Sequence, residues 1–526
     1  MNKDINIKPF KDELPSHLAD RLGVLYSSSV TTVYKKEKGQ FFTPVPIANF
    51  MSNMSSNGMK EIKILDPGCG TGVLFCSLLE NIATNHKIRT IELVTYESDY
   101  KLIPYTTIVI DYLKSWLNEK NIKITVKLNK TDYILDNKDY FINQNLFKTN
   151  NSEKFDIVIS NPPYFKLNKK DKRAIVASSI TYGQPNIYSI FMFIAAKMLK
   201  QNGELIFITP RSFTSGNYFR LFREYFFNEV QINRIHLFNS RKTTFKRDSV
   251  LQELLILKAI KKIINETNFK IDVTYSESIK DIDKPTKKEF FTNELIDFNS
   301  KEKILHLPVS EQGEKVIKLF KSWKGSLNKY NIQISTGPVV SFRARKYLFE
   351  NNKDKKYKYA PLFQLQNATK MSFDWPIEKN NKPQYIRICE ESQKLLLPNK
   401  NYIFLRRFSS KDDKSRLIAS PYFVDNMNME LIGVENHLNY IYRPKGNLER
   451  NEIMGLSALL NSTIFDTYFR TFNGNINVSA TELREMPLPD LEIIKKVGNE
   501  IILKNKFSDT FTNELVNKQF NLENLF

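Results

Sequence analysis

The residues with the clearest capacity for chemistry lie in Phe155–Lys166, FDIVISNPPYFK. The run DIVIS reads as a short, fully buried strand, apolar on both faces. Pro162 and Pro163 have no N–H to offer a sheet ladder, so the strand must stop at Asn161. Tyr164 and Phe165 are then held rigidly just past its carboxyl end, where open parallel sheets bind ligands. A stiff Asn-Pro-Pro-aromatic turn in that position marks a site.

A second set of residues suggests the ligand. ILDPGCGTG follows one strand and opens a helix, VLFCSLLENIA. Gly68, Gly70 and Gly72 let the backbone turn tightly and approach a ligand closely. Their spacing is G-x-G-x-G, not the G-x-G-x-x-G of dinucleotide folds. Asp66 at the strand end would repel a pyrophosphate but suits a cofactor carrying an amine or sulfonium charge. Glu97 ends the next strand, IELVTYESD, the usual place for an acceptor of ribose hydroxyls. Asp132 follows the third, with Tyr133 beside it. It could accept from an adenine amino group while the ring packs on the base. Any one of them could be a solvated turn carboxylate; three at successive strand ends are hard to explain that way.

These residues need a scaffold. From EIKILDPG to about Lys262 the sequence alternates strands (IKILD, IELVTYE, IKITVKL, FDIVIS, ELIFITP, INRIHLF, VLQELLIL) with helices. IYSIFMFIAAKMLKQNG is read as a helix stopped at Gly203. Such alternation predicts an α/β fold with a doubly wound, Rossmann-like, largely parallel sheet. Residues 1–265 form this catalytic domain. Residues 266–310 are charged and aperiodic and read as a linker. Residues 311–526, rich in aromatic and basic residues with short strand-like pieces, read as a second, α+β domain.

The composition constrains the partner. The chain has 526 residues and a formal net charge of +21, with 78 Lys and Arg against 57 Asp and Glu. That excess favours a polyanion, most simply nucleic acid; a codon bias toward Lys, Asn and Ile is the plainer alternative. Cys69, Cys76 and Cys389 cannot build a disulfide framework or a paired zinc site, and five scattered histidines add no metal cluster. The N-terminal MNKDINIKPFKDELP lacks the apolar segment of a signal peptide. No apolar run is long enough to span a bilayer, so a cytoplasmic protein without a membrane partner is expected.

DPGCGTG followed by SNPPY resembles the S-adenosylmethionine-dependent amino methyltransferases. KGQFFTPVPIANFM, just before the glycine loop, resembles the helix-capping segment of gamma-class adenine-N6 DNA methyltransferases. The order of capping segment, glycine loop, Asn-Pro-Pro-Tyr and C-terminal recognition region is similar to the TaqI-type modification enzymes of restriction–modification systems. PstI-like and BsuBI-like methylases are of comparable size. The resemblance covers residues 30 to 260, and NGNINVSATELREMPLPD resembles a segment of their target-recognition domains.

This resemblance implies roles. S-adenosylmethionine would be held by Thr43, Pro44, Asp66, Pro67, Gly68, Gly70, Gly72, Glu97, Asp132, Tyr133 and Asn161, with Thr43 a helix N-cap and Pro44 its first residue. An adenine exocyclic nitrogen is a poor nucleophile because its lone pair is delocalised. The Asn161 side-chain oxygen and the Pro162 carbonyl, fixed by Pro163, would accept its two hydrogens and localise that pair. Tyr164 would stack on an adenine rotated out of duplex DNA. Phe245, five residues before Val250, would cover the other face, with Phe238 its rival; each could also be a core residue at a strand end. Asn186 and Tyr188 would lie beside the pocket, or simply begin a helix. Phe165 reads as packing.

For DNA, the basic FKLNKKDKRAIVASS, with Lys169 and Lys170, would lie against phosphates. Arg343, Arg345, Arg406 and Arg407 would meet guanine or phosphate, although each taken alone fits a surface or phosphate role better. Asn473, Asn475 and Asn477 sit in a turn-rich stretch where Asn-Gly is first a turn signal. PDLEIIKK has the wrong spacing for a nuclease and lies on an expected helix. The implied protein is a stand-alone modification enzyme with a separate endonuclease that shares its target without stable binding. An RNA base methyltransferase and a non-catalytic DNA-binding protein are the alternatives.

Overall fold

The computed structural model describes residues 7–56, 58–84, 87–142, 153–183, 185–238, 253–262, 268–377, 382–409, 413–474 and 476–526. It divides into two compact units, Met1–Leu305 and His306–Phe526.

Among the described residues the first unit is built on nine strands: β1 (Glu61–Asp66), β2 (Thr90–Tyr96), β3 (Lys123–Asn129), β4 (Phe155–Ser160), β5 (Leu199–Pro210), β6 (Val230–Phe238), β7 (Leu254–Lys261), β8 (Lys270–Ser276) and β9 (Thr286–Phe291). Their order is β3-β2-β1-β4-β5-β7-β6-β8-β9. The first five run parallel, and β7 enters antiparallel between β5 and β6. The sheet is therefore mixed on one side. Every residue of β4 is buried, the apolar Ile157–Ile159 as a two-sided core requires and Asp156 because its Oδ2 accepts from the Lys63 N–H and Lys200 Nζ, both at 2.8 Å.

Among the described residues eleven helices accompany the sheet: α1 (Pro15–Ser29), α2 (Thr32–Lys38), α3 (Val45–Ser52), α4 (Val73–Ala83), α5 (Ile103–Asn118), α6 (Tyr133–Asp136), α7 (Asp139–Ile142), α8 (Lys172–Val176), α9 (Ile187–Met198), α10 (Arg220–Glu229) and α11 (Thr292–Leu295). Two expectations change. The helix expected to stop at Gly203 ends at Met198, and Gly203 lies within β5. A Cβ there would come within 2.9 Å of the Phe155 carbonyl oxygen, so glycine permits close strand approach rather than capping a helix. Residues 266–310, read as a linker, hold β8 and β9 instead. β8 pairs in parallel with β6, and its Ile271 and Val273 are fully buried. Two buried positions in a short charged segment are too few to show as periodicity.

The second unit is α+β. It contains a four-stranded antiparallel sheet (Gln333–Thr336, Leu438–Tyr442, Tyr402–Arg406, Ala419–Tyr422) and a five-stranded mixed one. In its core Phe363 and Phe404 pack edge to face, and Tyr422 tilts against both, at 60° and 58°. Helices Arg450–Asn461, Thr463–Phe472, Leu491–Lys504 and Asp509–Gln519 follow. No helix among the described residues is long and apolar enough to cross a membrane.

Candidate active site

β1 and β4 are neighbours, with Leu65 opposite Val158. Chain order reverses between them, which opens a crevice at their carboxyl ends. The glycine loop leaves β1 and the Asn-Pro-Pro-Tyr turn leaves β4 into this crevice. Gly70 (φ +57°) and Gly72 (φ +99°) take left-handed conformations. A Cβ on Gly72 would meet the Phe75 ring at 2.2 Å, whereas one on Gly68 would find only Phe191, at 3.5 Å. The loop therefore bares its backbone over a cavity of about 410 Å³, walled by Gly68, Thr71, Glu97, Asp132, Asn161 and Phe165 among others.

The three carboxylates take three different positions. Asp66 is fully buried beneath the loop. Its Oδ1 accepts the Gly68 N–H at 3.3 Å, and its Oδ2 has no partner. Burial pushes its carboxyl up to about 8, so at neutral pH it is mostly neutral rather than the counter-charge expected. Glu97 borders the cavity and accepts from the Gly70 N–H (3.1 Å) and the Asp99 N–H (2.7 Å). Burial pushes it up to about 7, against the pull of the Asp99 N–H. Asp132 caps α6 through Oδ1, on the N–H groups of Ile134 (3.0 Å) and Leu135 (3.1 Å). Tyr133 is buried, its ring 5.0 Å from Phe191 and 5.1 Å from Tyr96.

The capping segment differs from expectation in one detail. Pro44, not Thr43, is the cap residue of α3, which begins at Val45. The Thr43 hydroxyl instead accepts from the Asn161 side-chain nitrogen at 3.0 Å, and the Phe41 carbonyl accepts from the same nitrogen at 2.8 Å. These two acceptors fix the amide's orientation, so Oδ1 faces the turn. There it faces the Tyr164 hydroxyl, whose single proton is shared between Asn161 Oδ1 and Ile208 O, the latter at 2.9 Å. Among the described residues no donor lies on the Pro162 carbonyl. The Tyr164 ring is not bare: Phe41 stacks on it, 5.6 Å between centroids and 22° between planes. Phe165 borders the cavity and packs against Gly39, whose φ is +61°.

Other expected residues divide plainly. Tyr188 is fully buried, its hydroxyl 2.8 Å from Ser212 Oγ, and it supports Tyr164 edge-on at 6.3 Å. Asn186 precedes α9, and its buried side-chain oxygen has no partner. Phe238 is buried against His236. Phe245 and Asn475 lie outside the described residues. Lys169, Lys170, Arg343 and Arg345 are exposed. Arg406 donates to Ala368 O (2.7 Å) and Arg407 to Asn436 O (3.0 Å), so both tie neighbouring segments of the second unit together. Asn473 is buried and structural: it accepts from Arg416 and donates to Glu482, both at 2.8 Å. Its segment follows a helix and packs inward, so its role is to hold a turn.

Several site residues escaped sequence reasoning. Thr71 sits in the motif, with a buried, unpartnered hydroxyl on the cavity wall. Asp99 accepts from the Tyr26 hydroxyl (2.5 Å), Tyr34 hydroxyl (3.0 Å), Gln40 amide (2.8 Å) and Lys101 N–H (3.0 Å). Burial alone would raise its pKa, yet these bonds hold it below the ordinary carboxylate value. The ESD spacing after β2 was the available signal. An acidic wall, an orphaned hydroxyl and bare glycine backbone fit a nucleoside-bearing cation of the S-adenosylmethionine type.

Comparison with known proteins agrees. Residues 74–245 match the family described as Eco57I restriction-modification methylase. The chain is 32% identical to Type II methyltransferase M.PstI of Providencia stuartii, over 96% of this chain and 97% of that protein. It is 33% identical to Type II methyltransferase M.BsuBI of Bacillus subtilis, over 89% of this chain and 91% of that protein. A DrdV–DNA complex matches 93% of this chain and 60% of that one at 14% identity and a TM-score of 0.48, too loosely to bear on function.

Proposed function

We propose that this chain, which belongs to the Type II DNA methyltransferases of restriction–modification systems, methylates the N6 amine of a specific adenine rotated out of duplex DNA. Its cofactor, S-adenosylmethionine, supplies when bound a methyl group already made electrophilic by the sulfonium. The observation that carries the adenine reading is the pinned Asn161 amide. With its nitrogen held on Phe41 O and Thr43 Oγ1, its oxygen can act only as an acceptor. That oxygen has two lone pairs, and Tyr164 uses one. The second, with the Pro162 carbonyl, is suited to the two hydrogens of a planar amine. Fixed acceptors of this kind stabilise charge developing in the transition state without reorganising. The nitrogen sheds its proton to solvent after transfer, so no strong base is required.

The base would enter against Tyr164 and Phe41, whose rings now cover each other. Stacking worth roughly 1–3 kcal/mol offsets the few kcal/mol of unstacking. Gly68, Gly70, Thr71, Glu97 and Asp132 would hold the cofactor opposite. The second unit would read the target, with Arg343 and Arg345 on phosphate or guanine. A separate endonuclease would share the site without stable binding.

The test is to express the protein in a host whose DNA lacks methylation and to map modified positions by sequencing. N6-methyladenine at one recurrent sequence is expected. Modified cytosine, or no modified base, overturns the reading.

A further inference from the structure

Arg173 has no part in the roles assigned so far, yet three parts of the site meet on it. It lies in α8, within the loop that follows the Asn-Pro-Pro-Tyr turn. Its guanidinium forks onto Asp171 through Nε (2.9 Å) and Nη2 (2.7 Å). Nη1 reaches Asp132 Oδ2 at 3.5 Å, and the guanidinium carbon lies 5.5 Å from the centre of the Phe165 ring. The side chain also lines the glycine-loop cavity.

One planar cation thus joins the carboxylate at the end of β3, the residue next to Tyr164, and a loop whose Lys169 and Lys170 are exposed. A lysine could not reproduce the two-pronged fork on Asp171 together with a third nitrogen on Asp132. Asp132 Oδ1 is committed to Ile134 and Leu135. Oδ2 is therefore the oxygen left to Arg173 and to any ligand amino group.

We propose that Arg173 is a positioning residue that makes cofactor and DNA bind cooperatively, by tying the basic loop 166–183 to the carboxylate bordering the cofactor. This rests on reading Asp132 as the neighbour of the cofactor's adenine and the loop as facing phosphate. A ligand on the Asp132 side steadies the carboxylate that holds Arg173, and with it the loop. The ligand that binds first fixes the Arg173 contacts, and the second binds a loop already held in place. Linkage then requires each ligand to tighten the other by the same factor.

The experiment measures binding of the non-reactive analogue sinefungin with and without a saturating duplex, and of the duplex with and without sinefungin. The duplex carries whichever site the wild type methylates. The wild type should show mutual enhancement of about fivefold or more, equal in both directions. Arg173→Ala should unfold at the same temperature and lose the enhancement, whatever its affinity for each ligand alone. Arg173→Lys, which keeps the charge without the fork, should recover only part of it. If Arg173→Ala does not fold, the lysine variant and Asp171→Asn decide by the same loss. Enhancement retained in the variants, or a wild type whose ligands ignore or weaken each other, overturns the proposal. A methylated cytosine in the mapped site would sink the adenine reading and leave this linkage measurable.

Discussion

At Asn161 one side chain serves two ends: its nitrogen secures the capping segment and its oxygen faces the turn. Truncation should therefore cost catalysis far more than cofactor affinity. Asn161→Ala is expected to slow single-turnover methyl transfer by at least about a hundredfold, the order seen when one fixed transition-state hydrogen-bonding group is removed. Calorimetry should find S-adenosylhomocysteine binding much less affected; equal losses in both would make Asn161 a purely structural residue. Glu97 gives a pH prediction. Its folded pKa of about 7 lies above the ordinary carboxylate value because the group is buried. Ionised, it is the better acceptor for ribose hydroxyls and the better neighbour for a cation. Cofactor binding should strengthen from pH 6 to pH 8 and release a proton below pH 7, visible as a buffer-dependent binding enthalpy. Glu97→Gln should flatten the profile. For stability the sign is opposite. Glu97 and Asp66, raised to about 8, hold protons in the folded chain that the unfolded chain has already lost. Their contribution to the ligand-free protein's stability should therefore fall as pH rises from about 4 to about 8; thermal unfolding should show the fall most clearly above pH 6.5, where His236, pushed down to about 4 by burial, no longer opposes it.

At the scale of elements, α1 and α2 are part of the site. Tyr26, Tyr34 and Gln40 converge on Asp99 at the end of β2, and this hub sets where the Gly39–Thr43 segment meets the cavity. A Cβ on Gly23 of α1 would touch Thr71 Oγ1 at 3.2 Å and the Phe42 ring at 3.3 Å, so α1 rests directly on the glycine loop. Asp99→Ala takes the acceptor from the buried Tyr26 hydroxyl, at about 1–3 kcal/mol, and from three half-buried donors on Tyr34, Gln40 and Lys101. It should weaken S-adenosylhomocysteine binding by about tenfold or more, and Tyr26→Phe should do so less. Unchanged affinity in Asp99→Ala would show that the N-terminal helices merely cover the sheet. Gly72→Ala should be worse tolerated than Gly68→Ala, because only the former places a methyl group inside the Phe75 ring and strains a left-handed residue.

At the scale of the molecule, the charge of +21 becomes a statement about DNA. Each phosphate neutralised contributes about 0.9 to the slope of log affinity against log salt. The exposed Arg343 and Arg345 are where a phosphate role predicts such a contribution. The double alanine variant should lower the slope by up to about two while leaving cofactor affinity intact; an unchanged slope removes both from the interface. Arg416 should behave differently. It is buried on Asn473 and Ser409 with its guanidinium 5.5 Å from the Phe469 ring. Its loss should unfold the second unit before it affects any salt slope.

Proline and glycine chemistry is local, and what depends on it was legible from the residues alone. Pro162 and Pro163 end β4, Gly70 and Gly72 shape the loop after β1, and the alternation of strands and helices predicts the parallel half of the sheet. Asp66, Glu97 and Asp132 were legible as strand-end carboxylates, but not in their separate environments. That Asp66 lies under the loop while Glu97 borders the cavity depends on how the chain folds over each. The tertiary structure alone brought Phe41 onto Tyr164, gathered two tyrosines and Gln40 on Asp99, set Arg173 against Asp132, and turned Asn473 and Tyr188 inward. These partners lie far apart in the chain and carry no shared spacing, so only the packed fold brings them together.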